Sequence, residues 1–322
     1  MQIRMICPAP AGTLHGNRVT ATRWAKILRG LGHRVAIAQT WDGEACDLFL
    51  ALHARRTAMA VLRFRACHPE RPVIVALTGT DVYRDIHTDR SAQQSLKLAD
   101  VLTVLQPLAV EELPAAMRGK VRVIYQSAEK VRAAVKRHSG AFDVCVAGHL
   151  REVKDPFRAA LASRLLPQSS RIRILHAGAA MEEGMAGQAR EEESGNPRYR
   201  WLGEISRARA RRLIASSRLM VLSSRMEGGA NVISEAVVEG VPVLASRIAG
   251  SVGLLGEDYP GYFPPEDTEA LAVLLERAES DGGFYRALRA GCARLKPLFR
   301  PARERATWRR VLRDLELMSA RR

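Results

Sequence analysis

The sequence predicts an α/β fold built as two domains, each with its own parallel sheet. Three observations carry that prediction. Short apolar runs recur along the chain, separated by stretches of helical length, which is the alternation of a βαβ architecture. The chain has 322 residues, 47% of them hydrophobic, enough for two such domains and two cores. One stretch, 218–246, reads RLMVLSSRMEGGANVISEAVVEGVPVLAS and holds a complete strand, glycine loop, helix and second strand. A crossover of this kind sets its two strands parallel. In open α/β sheets, ligands bind outside the carboxyl ends of the strands.

In that stretch RLMVLS is an apolar run ended by small polar residues, a buried strand. ANVISEAVVEG is one short helix, stopped by Gly240 and Pro242, and VPVLAS is the next strand. Glu227 lies in the loop and Glu235 eight residues later on the helix. That is about two helical turns, so both carboxylates can line one side of a groove. After Gly228 and Gly229, the helix start at Ala230, Asn231 and Val232 offers backbone N–H groups suited to a diphosphate. A carboxylate at 235 can accept hydrogen bonds from a ribose diol. Spacing alone does not choose between this and a plain loop glutamate followed by a solvated helix glutamate.

The remaining elements follow in order. QIRMIC (2–7) is the first strand, and PAPAGTLHGN (8–17) a loop. RVTATRWAKILRGLG (18–32) is a helix with an apolar stripe at Val19, Trp24, Ile27, Leu28 and Leu31. A glycine-bearing loop between first strand and helix is a common anion site, so Gly16, Asn17, Arg18 and Thr20 are candidate ligand contacts, although a plain connection has the same appearance. The Gly12…Gly16 spacing is not a dinucleotide fingerprint. HRVAIA (33–38), DLFLAL (47–52) and PVIVAL (72–77) are strands, with a helix running to about Cys67. Thr78-Gly79-Thr80-Asp81 then forms a polar turn at a strand's carboxyl end. Thr78, Thr80 and Asp81 either face a ligand or build a helix N-cap. VLTVL (101–105) and VRVI (121–124) complete the first domain, and 125–140 is a polar, basic connection.

FDVCVA opens the second domain, and the loop from Gly148 carries His149, Arg151 and Lys154. Two cations there can neutralise a leaving diphosphate, and scattered surface basics would look the same. Asp155-Pro156 has the form of an N-cap with proline at the first helical position. RIRILHAG (171–178) and YRWLG (199–203) are strands, 182–196 is an acidic segment expected to be mobile, and Ala249-Gly250-Ser251 is a loop. Helices are expected over 266–280, 283–293 and 301–318. The domains are thus 1–137 and 138–300, followed by the segment 301–322.

A net charge of +16 admits nucleic acid, anionic lipid or anionic substrates as partners. Aromatic residues are only 5%, which argues against a stacking platform for single strands. Five scattered cysteines (Cys7, Cys46, Cys67, Cys145 and Cys292) show no zinc spacing and read as reduced, buried thiols of a cytoplasmic protein. MQIRMICP is too short for a signal peptide, and no apolar run is long enough for a membrane span.

The run E-G-G-A-N-V-I-S-E-A-V-V-E-G-V-P-V resembles the E-x7-E signature of the GT-B glycosyltransferases, in the large retaining group that uses nucleotide sugars. The resemblance implies two Rossmann-like domains facing a central crevice, with the terminal segment 301–322 packing back on the first. It implies that Glu227 sits over the donor sugar, that Glu235 holds the ribose, and that the amides from Gly229 to Val232 take the diphosphate. The family carries G-R-L-x-x-x-K after the first strand of the second domain, and here stands G-H-L-R-E-V-K. Lys154 matches, His149 replaces the usual arginine, and Arg151 is expected to act in its stead. The family often has a histidine after the fourth strand, where Thr78 stands, and an Asn-Gly linker, where Gln126-Ser127 stand.

HGNRVTATRWAKILRGLGHRV and LTGTDVYRDI resemble a narrower family, the selenosugar synthases of selenoneine biosynthesis. That implies a UDP-sugar donor such as UDP-N-acetylglucosamine, selenophosphate as acceptor, a carbon–selenium bond as product, and no metal or other cofactor. Gly16, Asn17, Arg18, Thr20, Thr78, Thr80 and Asp81 would then face the acceptor. The alternative is a GT-B O-glycosyltransferase acting on a lipid or sugar hydroxyl at a membrane surface, with helix 18–31 in peripheral contact. A non-catalytic basic binding protein is a third reading, against which Glu227, Glu235 and Lys154 argue. No nucleic-acid partner and no membrane insertion are expected, and the sequence leaves the oligomeric state open.

Overall fold

The computed structural model describes residues 1–132, 134–136 and 138–319. The chain divides into two compact units, Met1–Gln126 with Pro301–Arg322, and Ser127–Arg300. Each holds a six-stranded, all-parallel sheet.

In the first unit the strands are β1 (Gln2–Ile6), β2 (Arg34–Ala38), β3 (Leu48–Leu52), β4 (Val73–Ala76), β5 (Val101–Val104) and β6 (Val121–Val123), in the order β2-β1-β3-β4-β5-β6. Central strand β3 reads LFLAL and is buried throughout, as a parallel strand covered on both faces must be. Side chains alternate between faces with period two. Leu48, Leu50 and Leu52 join Trp24 and Leu28 of the helix Gly16–Arg29 and Trp308, Val311 and Leu312 of the helix Pro301–Ser319. Phe49 and Ala51 turn the other way, into a core with Phe64 and Leu96 from the helices Ala58–Cys67 and Arg90–Leu98. Trp24 and Trp308 meet edge to face at 4.9 Å, and the Trp24 indole N–H donates to Glu304 at 2.8 Å. The terminal helix is therefore part of the first unit's core.

The second unit contains β7 (Phe142–Ala147), β8 (Ile172–Ala177), β9 (Tyr199–Trp201), β10 (Leu219–Leu222), β11 (Val243–Ser246) and β12 (Tyr262–Phe263). Their order is β12-β11-β10-β7-β8-β9. The chain builds outward from β7 on one side, then restarts at β10 beside β7 and builds outward on the other. That reversal places a topological switch point between β7 and β10, where such sheets take their ligands.

Several expectations need correction. The expected domain boundary at 137 and the segment end 320–322 fall on residues outside those described. The chain passes into the second unit at Ser127, where the Ala128 N–H donates to Phe299 and the Val131 N–H to Glu239. The first helix begins at Gly16 and ends at Arg29, because Gly30 and Gly32 turn the chain into β2. Residues 185–195 form a helix within the segment expected to be mobile, and Ala249-Gly250-Ser251 opens the helix Ala249–Leu255 rather than forming a loop. Asp155 is not an N-cap. It takes a left-handed conformation (φ 46°), its carboxylate pairs with Arg158 at 2.7 Å, and the helix starts at Arg158. Cys67 is exposed, whereas Cys7, Cys46, Cys145 and Cys292 are buried, and all five are free thiols. Among the described residues no helix is long and apolar enough to cross a membrane.

Candidate functional site

The loops after β7 and β10 meet at the switch point of the second unit, since β10 pairs with β7 at Leu219↔Val144 and Met220↔Cys145. They are stitched together by the Arg225 N–H donating to Val153 at 2.9 Å and the Ser223 hydroxyl donating to Asp155 at 2.8 Å. That stitching brings Lys154 onto Glu227. Its ammonium donates to Glu227 Oε1, and the Ser224 hydroxyl donates to the same oxygen at 2.8 Å. Glu227 is 9% exposed, so this carboxylate is held by partners and not by solvent. Beneath it runs the start of the helix Ala249–Leu255. A Cβ at Gly250 would stand 2.0 Å from the Glu227 carbonyl oxygen, so only glycine lets the loop settle there.

The helix Asn231–Glu239 points its amino end into the same loop. Its N-cap, Ala230, is extended (φ −70°, ψ 114°) and has no side-chain acceptor for the first-turn amides. The Ile233 N–H is taken by the Ala230 carbonyl at 3.0 Å. Gly229, Asn231 and Val232 are half-buried and Ala230 is buried. Gly240 closes the helix with φ 75°, its amide reaching back to Ala236 and Val237, as its place ahead of Pro242 suggested.

Glu235 is 8% exposed and faces the helix Arg207–Ser216. The Arg207 guanidinium lies 3.5 Å and Arg211 Nε 4.0 Å from Glu235 Oε1, while Arg211 also donates to Glu239 at 3.2 Å. A carboxylate so far out of water needs such partners to stay ionised. Glu227 and Glu235 are therefore neither a plain loop residue nor a solvated helix residue. The two arginines stand in the basic run RARARR (207–212), whose composition alone does not distinguish them from surface charge. The readable signal was their spacing of four, one helical face.

His149 and Arg151 do not join Lys154. His149 Nδ1 accepts the Ala179 N–H at 3.1 Å, and Arg151 pairs with Glu182 at 3.8 Å with its side chain well exposed. Arg151, expected to stand in for the family's arginine beside Lys154, thus pairs here with Glu182. Under this loop sits His176, 1% exposed, with Nε2 at 3.1 Å from the Gly148 carbonyl and Nδ1 at 3.1 Å from the Tyr199 hydroxyl. Burial pushes its pKa down to about 4, so the ring is neutral, donating to Gly148 and accepting from Tyr199.

In the first unit the corresponding switch lies between β1 and β3. Gly16 is exposed at the head of its helix, and Asn17 and Arg18 are half-buried. Burial raises the pKa of the Cys7 thiol just beyond β1, and the positive charge of Arg18 opposes that shift. Two candidates turn inward. Thr20 is buried, and its hydroxyl accepts from Gln126 at 2.7 Å. Asp81 is 0% exposed, and its carboxylate accepts the N–H groups of Gly79 (2.8 Å), Ala54 (3.0 Å) and Thr78 (3.1 Å). Both are corrected from ligand contacts to structural ties, and Asp81 binds the end of β3 to the end of β4. Thr78 and Thr80 stay half-buried. Thr80 Oγ1 lies 3.5 Å from Nε2 of His53, a buried residue that the sequence reading passed over. Among the described residues, no group of three or more His, Cys, Asp or Glu side chains is placed to hold a metal ion.

The sequence matches the family model described as glycosyl transferases group 1 over residues 127–292, the second unit almost entire. No curated protein matches the chain. Among solved structures it is similar to HepE of Anabaena, solved with UDP and glucose, at 14% identity and a TM-score of 0.75 over 98% of this chain and 100% of that one. It is similar to the sucrose-phosphate synthase of Thermosynechococcus elongatus at 16% identity and a TM-score of 0.77, over 98% and 99% of the two chains. It also resembles the UDP-forming α,α-trehalose-phosphate synthase of Burkholderia xenovorans, at 11% identity and a TM-score of 0.66 over 84% and 73%.

Proposed function

The chain belongs to the group 1 glycosyl transferases, and from that premise we propose that it transfers a sugar from a UDP-sugar, UDP-N-acetylglucosamine in particular, to selenophosphate. The observation that carries the donor half is the Lys154–Glu227 pair at the β7/β10 switch, beside a helix start without a side-chain cap. Lys154 and the amides at 230–232 neutralise the diphosphate as it leaves. Glu235, two turns along, accepts the ribose hydroxyls, and Glu227 faces the donor sugar. The anomeric carbon–oxygen bond breaks, UDP departs with the electron pair, and a selenium lone pair forms the carbon–selenium bond. Uridine as the base is supported by the fold shared with HepE, which was solved with UDP and with UDP-glucose.

The acceptor half rests on the likeness of HGNRVTATRWAKILRGLGHRV and LTGTDVYRDI to the selenosugar synthases. Selenium in selenophosphate is already nucleophilic, so no strong base is required. That suits Thr78 in the place of a histidine. Protein cations do the work a metal would do, so no metal or other cofactor is needed. A further step removes the phosphoryl group. An O-glycosyltransferase at an anionic membrane surface is the second reading, favoured by the exposed Arg305, Arg309 and Arg313 on the helix Pro301–Ser319.

The test is mass spectrometry of purified protein with UDP-N-acetylglucosamine and fresh selenophosphate, without added metal. A selenium isotope pattern at the mass of a selenosugar, lost in Glu235→Ala, is the expected result. UDP release without a selenium product would overturn the acceptor and keep the transferase. Liposome binding with transfer to a lipid hydroxyl would establish the second reading.

A further inference from the structure

His53 follows directly after β3 and holds φ 79°, a left-handed conformation rare for a side chain other than glycine. Such backbone persists where the surroundings over-determine it, and it concentrates at ligand sites. Here Asp81 supplies the clamp, by accepting the N–H of the next residue, Ala54. The imidazole is packed between two carboxylates, with Nδ1 3.8 Å from Asp81 and Nε2 3.8 Å from Asp85. Asp81–Asp85 is one turn of π-helix, a form frequent at functional sites.

The ring's proton can be placed. The Arg56 backbone N–H points at Nδ1 from 3.4 Å, so Nδ1 accepts and the hydrogen sits on Nε2. Burial holds the ring below its ordinary pKa, against the pull of Asp81 and Asp85 and with the push of Arg55 and Arg56. Nε2–H faces the Thr80 hydroxyl oxygen at 3.5 Å and Asp85 Oδ2, a buried oxygen with no hydrogen-bond partner. When Thr80 accepts from His53, its own proton is left to donate to another acceptor, and the half-buried side chain gives a ligand access to it. Beside it, a Cβ built on Gly79 meets nothing within 4 Å, so the surface there is open. Arg84 and Arg55 flank Asp85 at 3.2 and 3.7 Å, and Arg56 is exposed. Arg55 also pairs with Asp89 at 3.2 Å, so Arg56 is the exposed cation of this loop without an ion pair among the described residues, and with the Thr80 hydroxyl it suits an oxyanion.

We propose that His53 is a positioning residue that fixes the Thr80 hydroxyl as a donor to the oxygens of a tetrahedral, phosphoryl-bearing acceptor at the carboxyl edge of β3 and β4. The acceptor class rests on the function proposed above. His53 acts through Thr80 and does not touch the acceptor.

The test measures binding of inorganic thiophosphate by calorimetry and, separately, acceptor KM and kcat with selenophosphate. Thr80→Val is expected to weaken thiophosphate about tenfold, the effect of one hydrogen bond to a charged group. Acceptor KM should rise equally while kcat at saturation holds. Thr80→Ser should restore binding, and His53→Gln, which keeps an N–H donor, should restore what His53→Leu loses. The double variant His53→Leu/Thr80→Val should be no weaker than Thr80→Val alone, because both act on one hydrogen bond. Circular dichroism checks that each variant is folded, and Thr80→Val keeps the shape of the site. Unchanged thiophosphate affinity in Thr80→Val, additive losses, or no binding by the wild type would overturn the proposal. If Thr80→Val weakens thiophosphate but no selenosugar forms, the proposed acceptor falls and His53 keeps its role. If selenosugar forms and Thr80→Val is indifferent, the reverse holds.

Discussion

The carboxyl edges of the two sheets are built on the same plan and used differently. Each has a reversal in strand order, between β7 and β10 in the second unit and between β1 and β3 in the first. In the second unit a charge meets a charge, Lys154 on Glu227 and Arg207 on Glu235, beside a helix start. In the first unit the carboxylate of Asp81 is spent on three backbone amides, and what faces outward is a hydroxyl backed by a neutral imidazole. One edge sets buried carboxylates against cations. The other sets a buried imidazole beside a half-buried hydroxyl. The contrast shows that a shared topology fixes where a ligand goes, while the loops decide which force holds it.

Lys154→Ala should break the charged edge. If this cation meets the leaving diphosphate, kcat for UDP release should fall by about 10²–10³, and Lys154→Arg should recover part of it. A loss no larger than that of Thr80→Val would erase the contrast. The second test is acid. His176 is buried beneath the Gly148 loop with its folded pKa at about 4, below the ordinary value near 6.5. Between those values the unfolded chain binds the extra proton and the folded one does not. Stability is therefore full above about pH 6.5 and is lost as the pH falls toward 4, by about 3 kcal/mol. Thermal melts across that range should show the second unit yielding, and His176→Phe should flatten that slope. A pair of glycine substitutions sharpens the comparison further. Gly250→Ala must push the Glu227 loop aside, and about a hundredfold loss of activity is expected from a shift on the order of 1 Å. Gly79→Ala meets open space and should stay within about 0.5 kcal/mol in stability. Equal effects at both positions would show that the two loops are packed alike.

The charged edge of the second unit was legible because its parts are close in sequence. Glu227, the helix start and Glu235 lie within one βαβ unit, where a spacing of eight residues translates directly into two turns. Lys154 was legible by its distance from Gly148. The helix Met185–Gly195 was not, because its acidic and glycine-rich composition hid a helix with one buried residue, Ala189. Arg207 and Arg211 were lost in a basic background, where an arginine bound to a nearly buried carboxylate looks like any other. His53 was invisible for a different reason. Its partners Thr80, Asp81 and Asp85 come from the next strand's loop, and no periodicity announces a left-handed histidine. Asp81 was misread because an N-cap, a ligand contact and a tie between loops all ask for the same short carboxylate.

The helix Pro301–Ser319 belongs to the first unit, while 127–300 lies wholly in the second. Trp308, Val311, Leu312 and Leu315 complete a core whose other members lie before residue 125. On the ribosome the order of folding is therefore inverted. The second unit has its whole sequence to hand as soon as residue 300 emerges, whereas the first must wait with one face of its sheet only partly covered, by the helix Gly16–Arg29, until Leu315 follows. For the time it takes to make nearly two hundred residues, at roughly 5–20 per second, Leu48, Leu50 and Leu52 on that face lack their final cover.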